Sequence, residues 1–241
     1  MLREGSVEVE SIAQELDVSR ETIRRDLGVL ARRGLIQRTR GGATAPGNSL
    51  TEIDITVRST EHHAAKVAIG RYVAAYLVED GTSVALDTGT TAHEIARAIR
   101  GRKLTVVTPS LPVINELAGS ETTVVVIGGV LRSRSLGSVG PIAEQTARQF
   151  HCDLAFISAP AVNPEFGLMD TDLDGVAVKQ CLLEHATQVY GVFDHTKLGR
   201  TAFATVCGAQ ALTGIVTDDE ADPALLHGYR EMGLEVHRAP E

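Results

Sequence analysis

The chain is 241 residues long, 43% hydrophobic and 22% charged, with a formal charge of −8. This makes one large domain or two smaller ones with enough apolar material for a core, and it leaves no global basic field to attract nucleic acid. No apolar run nears the ~18 residues of a membrane span, and Met1 to Ser6 hold no signal-peptide core. Cys152, Cys181 and Cys207 are too few and too scattered for a disulfide framework, which fits a reducing cytoplasm.

The acidic total hides a basic segment. Residues 18–42 hold seven arginines against Glu21 and Asp26, and a phosphate backbone senses that local density within a Debye length. Ile12, Ala13 and Leu16 share one face of a predicted helix over Val9–Leu16. Ser19 is an N-cap residue for a second helix, whose Ile23, Leu27 and Leu30 recur at i, i+4 and i+7. At 100° per residue, Arg25 and Arg32 point away from that seam, with Glu21 beside them and Arg24 on the flank. Gly34 ends the helix. Leu35 to Gly42 then alternate and turn as a β wing would, offering Arg38 and Arg40 to phosphates or the minor groove. Two helices across a tight turn form a helix-turn-helix, although a helical hairpin of another kind has the same spacing.

The string Val18-Ser19-Arg20-Glu21-Thr22-Ile23-Arg24-Arg25-Asp26-Leu27, followed by Gly34-Leu35-Ile36-Gln37-Arg38 and Gly41-Gly42-Ala43, resembles the signature of the DeoR family of bacterial transcription regulators. The resemblance implies a winged helix-turn-helix over 1–45 in which Thr22 to Arg25 read the major groove. Ser19, Arg20, Glu21, Arg38 and Arg40 complete the expected double-stranded DNA contacts. The family's domain normally opens with one more helix than the residues before Val9 supply.

Residues 46–60, opening Pro46-Gly47-Asn48-Ser49, read as a linker. The helical spacing of Ala65 to Val73 begins the next domain, 61–241. The adjacent His62 and His63 read as an exposed polar pair, so no metal and no cofactor are assigned. From Ser83 onward, apolar strand runs alternate with amphipathic helices. Strands are predicted at Val84–Leu86, Leu104–Val107, Thr123–Ile127, Leu154–Ile157, Val189–Phe193, Leu212–Thr217 and Leu234–His237. The helices between them are Ala92–Ile99, Pro112–Leu117, Ile142–Phe150, Val176–His185 and Ala224–Met232. That rhythm predicts an α/β fold, a doubly wound and mostly parallel Rossmann-like sheet.

Ligands of such sheets sit beyond the strands' carboxyl ends. Asp87-Thr88-Gly89-Thr90-Thr91 follows a strand and opens a helix. Its glycine, free amides and hydroxyls make it either a phosphate cradle or an ordinary capped turn. Gly128-Gly129 forms a second loop, trailed by Arg132. Lys179 and the Asp194 to Lys197 loop add two of the chain's four lysines near strand ends. Asp87-x-Gly89-Thr90-Thr91, Gly128-Gly129, Asp153-x-Ala155-Phe156, Val178-Lys179 and Asp194-x-x-Lys197-x-Gly199 resemble the effector domain of the same family, similar in fold to ribose-5-phosphate isomerase. That resemblance implies a phosphorylated-sugar effector held by Asp87, Thr88, Gly89, Thr90, Thr91, Gly128, Gly129, Arg132, Lys179, Asp194 and Lys197. Pro109, Ser158-Ala159-Pro160 and Ala177 stand where the family carries an asparagine, glycines and a glutamate. The expectation is a cytoplasmic repressor of a carbohydrate catabolic operon, acting on a DNA operator as a homodimer or homotetramer. The competing readings are a phosphosugar isomerase with Asp87 or Asp194 as base, and a ligand-binding protein that does not hold DNA.

Overall fold

The computed structural model describes residues 6–32, 36–39, 41–44 and 53–240. They fall into two compact units, Met1–Arg58 and Ser59–Glu241.

The first unit runs β1 (Ser6–Glu8), α1 (Val9–Glu15), α2 (Arg20–Arg32), β2 (Gln37–Arg38), β3 (Gly42–Thr44) and α3 (Ile55–Arg58). Strand β3 is central and pairs antiparallel with both β1 and β2, giving the predicted wing a third strand. Val9, Ile12 and Ala13 of α1 pack on Ile23 and Leu27 of α2, with Ile36 and Ala43 from the wing. Leu16 departs from expectation: α1 closes at Glu15, so Leu16 leaves the buried face and is 50% exposed. The span predicted as linker is helical at α3, where the Asp54 carboxylate accepts from Thr56 N at 2.9 Å. Gly34 lies outside the described residues.

The second unit continues with α4 (His63–Tyr76), β4 (Ser83–Leu86), α5 (Thr90–Ile99), β5 (Thr105–Thr108), α6 (Leu111–Leu117), β6 (Thr123–Val126), β7 (Val130–Leu131), β8 (Ser138–Val139), α7 (Pro141–Ala147) and β9 (Cys152–Ile157). After these come β10 (Ala161–Asn163), β11 (Gly167–Asp170), α8 (Leu173–Glu184), β12 (Ala186–Val192), β13 (Ala204–Cys207), β14 (Gly214–Asp218), α9 (Pro223–Glu231) and β15 (Glu235–Ala239). Seven strands form a parallel sheet in the order β15-β14-β12-β9-β4-β5-β6. Alternate residues of each strand serve opposite faces. Val84 and Leu86 join the core under α4, α5 and α6, while Ala85 joins the core under α7, α8 and α9. Both faces are covered, which is why the strands read as continuous apolar runs.

The chain winds outward from β4 through β5 to β6, then returns to β4's other side with β9. The topological switch point therefore lies between β4 and β9, where a crevice opens beyond the strand ends. Two elements absent from the sequence reading frame that crevice. One is the antiparallel sheet β10-β11-β13, and the other is the β7–β8 hairpin.

Candidate functional site

The first unit presents a basic helix start. Ser19 Oγ accepts from Thr22 N at 3.0 Å and lies 2.8 Å from Thr22 Oγ1, closing the first turn of α2. Arg20, Glu21, Arg24 and Arg25 are exposed and Thr22 is half-buried. Arg20 pairs with Glu10, Arg24 lies 3.8 Å from Glu21, and Arg25 lies 4.0 Å from Asp26. Exposed pairs of this kind contribute little to stability, so these guanidinium groups can exchange a carboxylate for a phosphate at small cost. Arg38 is exposed and its Nη1 donates to the Arg24 carbonyl at 3.1 Å, tying the wing to α2. Arg33 and Arg40 lie outside the described residues.

In the second unit, Asp87 follows β4, Ser158 follows β9 and Lys179 reaches in from α8, so three elements meet at the switch point. Lys179 Nζ bonds to the Asp87 carboxylate, donates to the Ser158 carbonyl at 2.6 Å and lies 3.6 Å from Asp170 Oδ2. Asp87 also accepts from Ser158 N at 3.2 Å and from Thr88 Oγ1 at 3.3 Å. Burial pushes the Asp87 carboxyl above the usual carboxylate range, against the opposing pull of the Lys179 ammonium. Gly89 holds φ +137°, and a Cβ there would sit 2.7 Å from Ser158 Oγ, so only glycine lets this loop approach β9's end.

Asp87 and Thr88 line a small, partly open cleft shared with Pro109, Ser135, Ser138, Val139, Asp172, Gly175 and Val178. Arg132, from the β7–β8 hairpin, bonds to the Asp172 carboxylate at the cleft wall and lies 3.6 Å from Asp174. Asp170 accepts from the amides of Thr171 and Asp172 at 2.7 and 3.2 Å, which fixes the turn into α8. Both cations at the cleft are thus already matched to carboxylates of the same domain.

Of the predicted effector residues, Asp87 and Thr88 line this cleft, Gly89 follows them in the same loop, and Arg132 and Lys179 bond to its lining carboxylates Asp172 and Asp87. Thr90 and Thr91 are buried in the first turn of α5 and do not line it. Gly128 and Gly129 are exposed after β6, and a Cβ on Gly129 would meet the Val139 carbonyl at 2.7 Å, so its role is packing against β8. Asp194 and Lys197 lie after β12, in a separate cluster. There the Asp194 carboxylate accepts from Thr196 N at 3.2 Å and sits 4.0 Å from Lys197 Nζ. Beside them, His195, Asp218 and Glu220 are the one trio among the described residues whose nitrogen and oxygen ligand atoms all lie within 4.8 Å. Sequence reasoning missed Asp170, Asp172, Ser135 and Ser138. The Asn163-Pro164-Glu165-Phe166-Gly167 turn was the available sign of the hairpin that carries Asp170.

A model of the DeoR-like helix-turn-helix domain matches residues 1–48, and a model of the DeoR C-terminal sensor domain matches residues 61–219. The chain belongs to the DeoR family of transcription regulators. Among DeoR-family relatives, the HTH-type transcriptional repressor CsqR of Escherichia coli K12 is 31% identical over 96% of this chain and 89% of its own. The lactose phosphotransferase system repressor of Staphylococcus aureus N315 is 32% identical over 90% and 88%. Ribose 5-phosphate isomerase A of Methanocaldococcus jannaschii aligns over 57% of this chain and 55% of its own, with 16% identity and a TM-score of 0.43. As a DeoR-family member, the chain is a DNA-binding transcriptional repressor and not an enzyme. Among the described residues no helix is long and apolar enough to cross a membrane.

Proposed function

We propose that this repressor acts in the cytoplasm on genes of carbohydrate catabolism, and that a phosphorylated sugar bound at the Asp87 cleft sets its operator affinity. The observation that carries the reading is the chemistry at the switch point. Two buried carboxylates, Asp87 and Asp172, line a small cleft, and carboxylates can accept hydroxyl hydrogens, as sugar recognition requires. Arg132 bonds to the Asp172 carboxylate at the cleft wall and is the group to exchange it for a phosphate, since guanidinium pairs with either anion. The relative named as a lactose phosphotransferase system repressor points to the same class of regulated genes.

DNA contacts fall to Ser19, which caps α2, to Arg20, Glu21, Thr22, Arg24 and Arg25 in its first turns, and to Arg38 and Arg40. Two such modules must meet half-sites about one helical turn apart, so the working form is a homodimer or a pair of dimers.

Two measurements test this. Arg24→Ala with Arg25→Ala should abolish operator retention in a gel shift while leaving effector affinity unchanged; retained binding overturns the DNA assignment. A panel of aldose and ketose phosphates should include one that raises the melting temperature of the wild type by mass action. Arg132→Ala should weaken that ligand at least tenfold while leaving the weaker affinity for its dephosphorylated form unaltered. Equal losses for both forms would remove the phosphate from Arg132.

A further inference from the structure

The two edges of the seven-stranded sheet are β15 and β6, and they are finished differently. β15 carries Glu235, His237 and Arg238 among its five residues, charges of the kind that keep an open edge from pairing with another chain. β6 reads Thr123-Val124-Val125-Val126, and no charge or proline occurs from Thr123 to Leu131. Its register with β5 runs unbroken, so no bulge turns the edge aside. The amides of Thr123 and Ile127 donate inward, to the Leu104 and Thr108 carbonyls at 2.8 and 3.0 Å. Strand amides alternate in direction, so those of Val124 and Val126 point away from the sheet.

An apolar patch continues this edge. Val126, Val130, Leu131 and Ile142 are 50–67% exposed. The fold gathers them: Val130 pairs with Val139 in the β7–β8 hairpin, and Gly129 packs against Ala143, the residue after Ile142. An exposed apolar patch beside an open, uncharged strand marks an interface.

We propose that this edge joins two copies of the chain about a two-fold axis, with β6 pairing antiparallel to β6 of the second copy and the four apolar side chains flanking the seam. Charge selects a second copy as the occupant. The chain carries −8, so two copies repel over much of their surface, whereas residues 123–131 set no charge against their own image. A two-fold axis also makes a strand edge self-complementary, because antiparallel pairing is what the rotation produces. The interface rests on the two-fold form proposed above for operator binding and gives that form a surface.

Sedimentation equilibrium of the full chain should give two chains or a multiple of two. Val126→Glu and Ile142→Glu should each raise the dissociation constant at least tenfold, because each buries unpaired charge at the seam. Tyr76→Glu should leave it unchanged. Tyr76 is just as exposed, but it lies on α4 beside Tyr72, which meets His237 at the opposite edge of the sheet. Amide exchange at Val124 and Val126 should slow as the wild-type concentration rises through that constant, while exchange in β15 should not change. Circular dichroism verifies that each variant is folded, and the exchange measurement carries the test if the glutamate variants are not. A monomeric wild type would overturn the interface together with the two-fold form. An assembly that survives either glutamate at the seam, one weakened as much by Tyr76→Glu, or β6 amides indifferent to concentration would overturn the interface and leave the two-fold form standing.

Discussion

Lys179 and Asp87 have side chains 5% and 2% exposed and form a buried ion pair, with Asp170 Oδ2 3.6 Å from the same ammonium. Removing one partner of a buried pair strands the other, which costs about 3–5 kcal/mol. Lys179→Met should therefore lower the unfolding free energy of the second unit, obtained from urea titration, by that order. Adding Asp87→Asn should restore much of the loss, because the stranded charge goes with it. A double variant no more stable than Lys179→Met alone would mean that the loss came from packing. The thiols supply a pH prediction. Burial raises Cys152 and Cys207 from 9 to about 11. Between these values the unfolded chain has lost protons that the folded one keeps, so stability falls as pH rises from 9 through 11. Thermal midpoints should decline across that window. Alkylation by iodoacetamide at pH 8 should be slow until denaturant is added, and rapid labelling of native Cys152 would contradict its burial.

At the scale of elements, α2 opens on a local device. Ser19 caps it through Thr22 N, and replacing a serine N-cap with alanine costs about 1 kcal/mol. Ser19→Ala should destabilise the first unit by that amount and leave the melting of the second unaltered. Ser19→Asp should retain the cap, because a carboxylate also accepts the amide. Ser19 was legible in the sequence because capping is local chemistry. The seven parallel strands were legible because double burial writes itself as apolar runs. Strands β10, β11, β13, β7 and β8 were not, being only two to four residues long and set by pairing with distant partners. The site shows the same division. Asp87, Thr88 and Gly89 announce themselves by their place between strand and helix. Asp172 became visible only when the β7–β8 hairpin brought Arg132 to it, 40 positions away in the chain. Leu16 shows the converse limit: periodicity assigns a face, but it does not say where the helix stops.

At the scale of the whole molecule, the two units have separate cores and opposite tasks, so regulation is a coupling free energy between them. Regulators of this kind couple sites by ~1–3 kcal/mol, a change of about 5–150-fold in affinity. Linkage makes the change reciprocal: whatever factor the sugar phosphate imposes on operator affinity, the operator must impose on sugar-phosphate affinity. Titrating the effector by calorimetry with and without saturating operator duplex should give a ratio of dissociation constants. Gel shifts with and without saturating effector should give the same ratio. Arg132→Ala should change how much effector is needed, and the ratio should persist once the variant's cleft is saturated. Arg24→Ala with Arg25→Ala should reduce the calorimetric ratio to one, since no duplex is then bound. If effector affinity is the same with and without the operator while the wild type retains both ligands, the ligand does not discriminate between the repressor's DNA-bound and free states. The Asp87 cleft would then bind a sugar without controlling transcription.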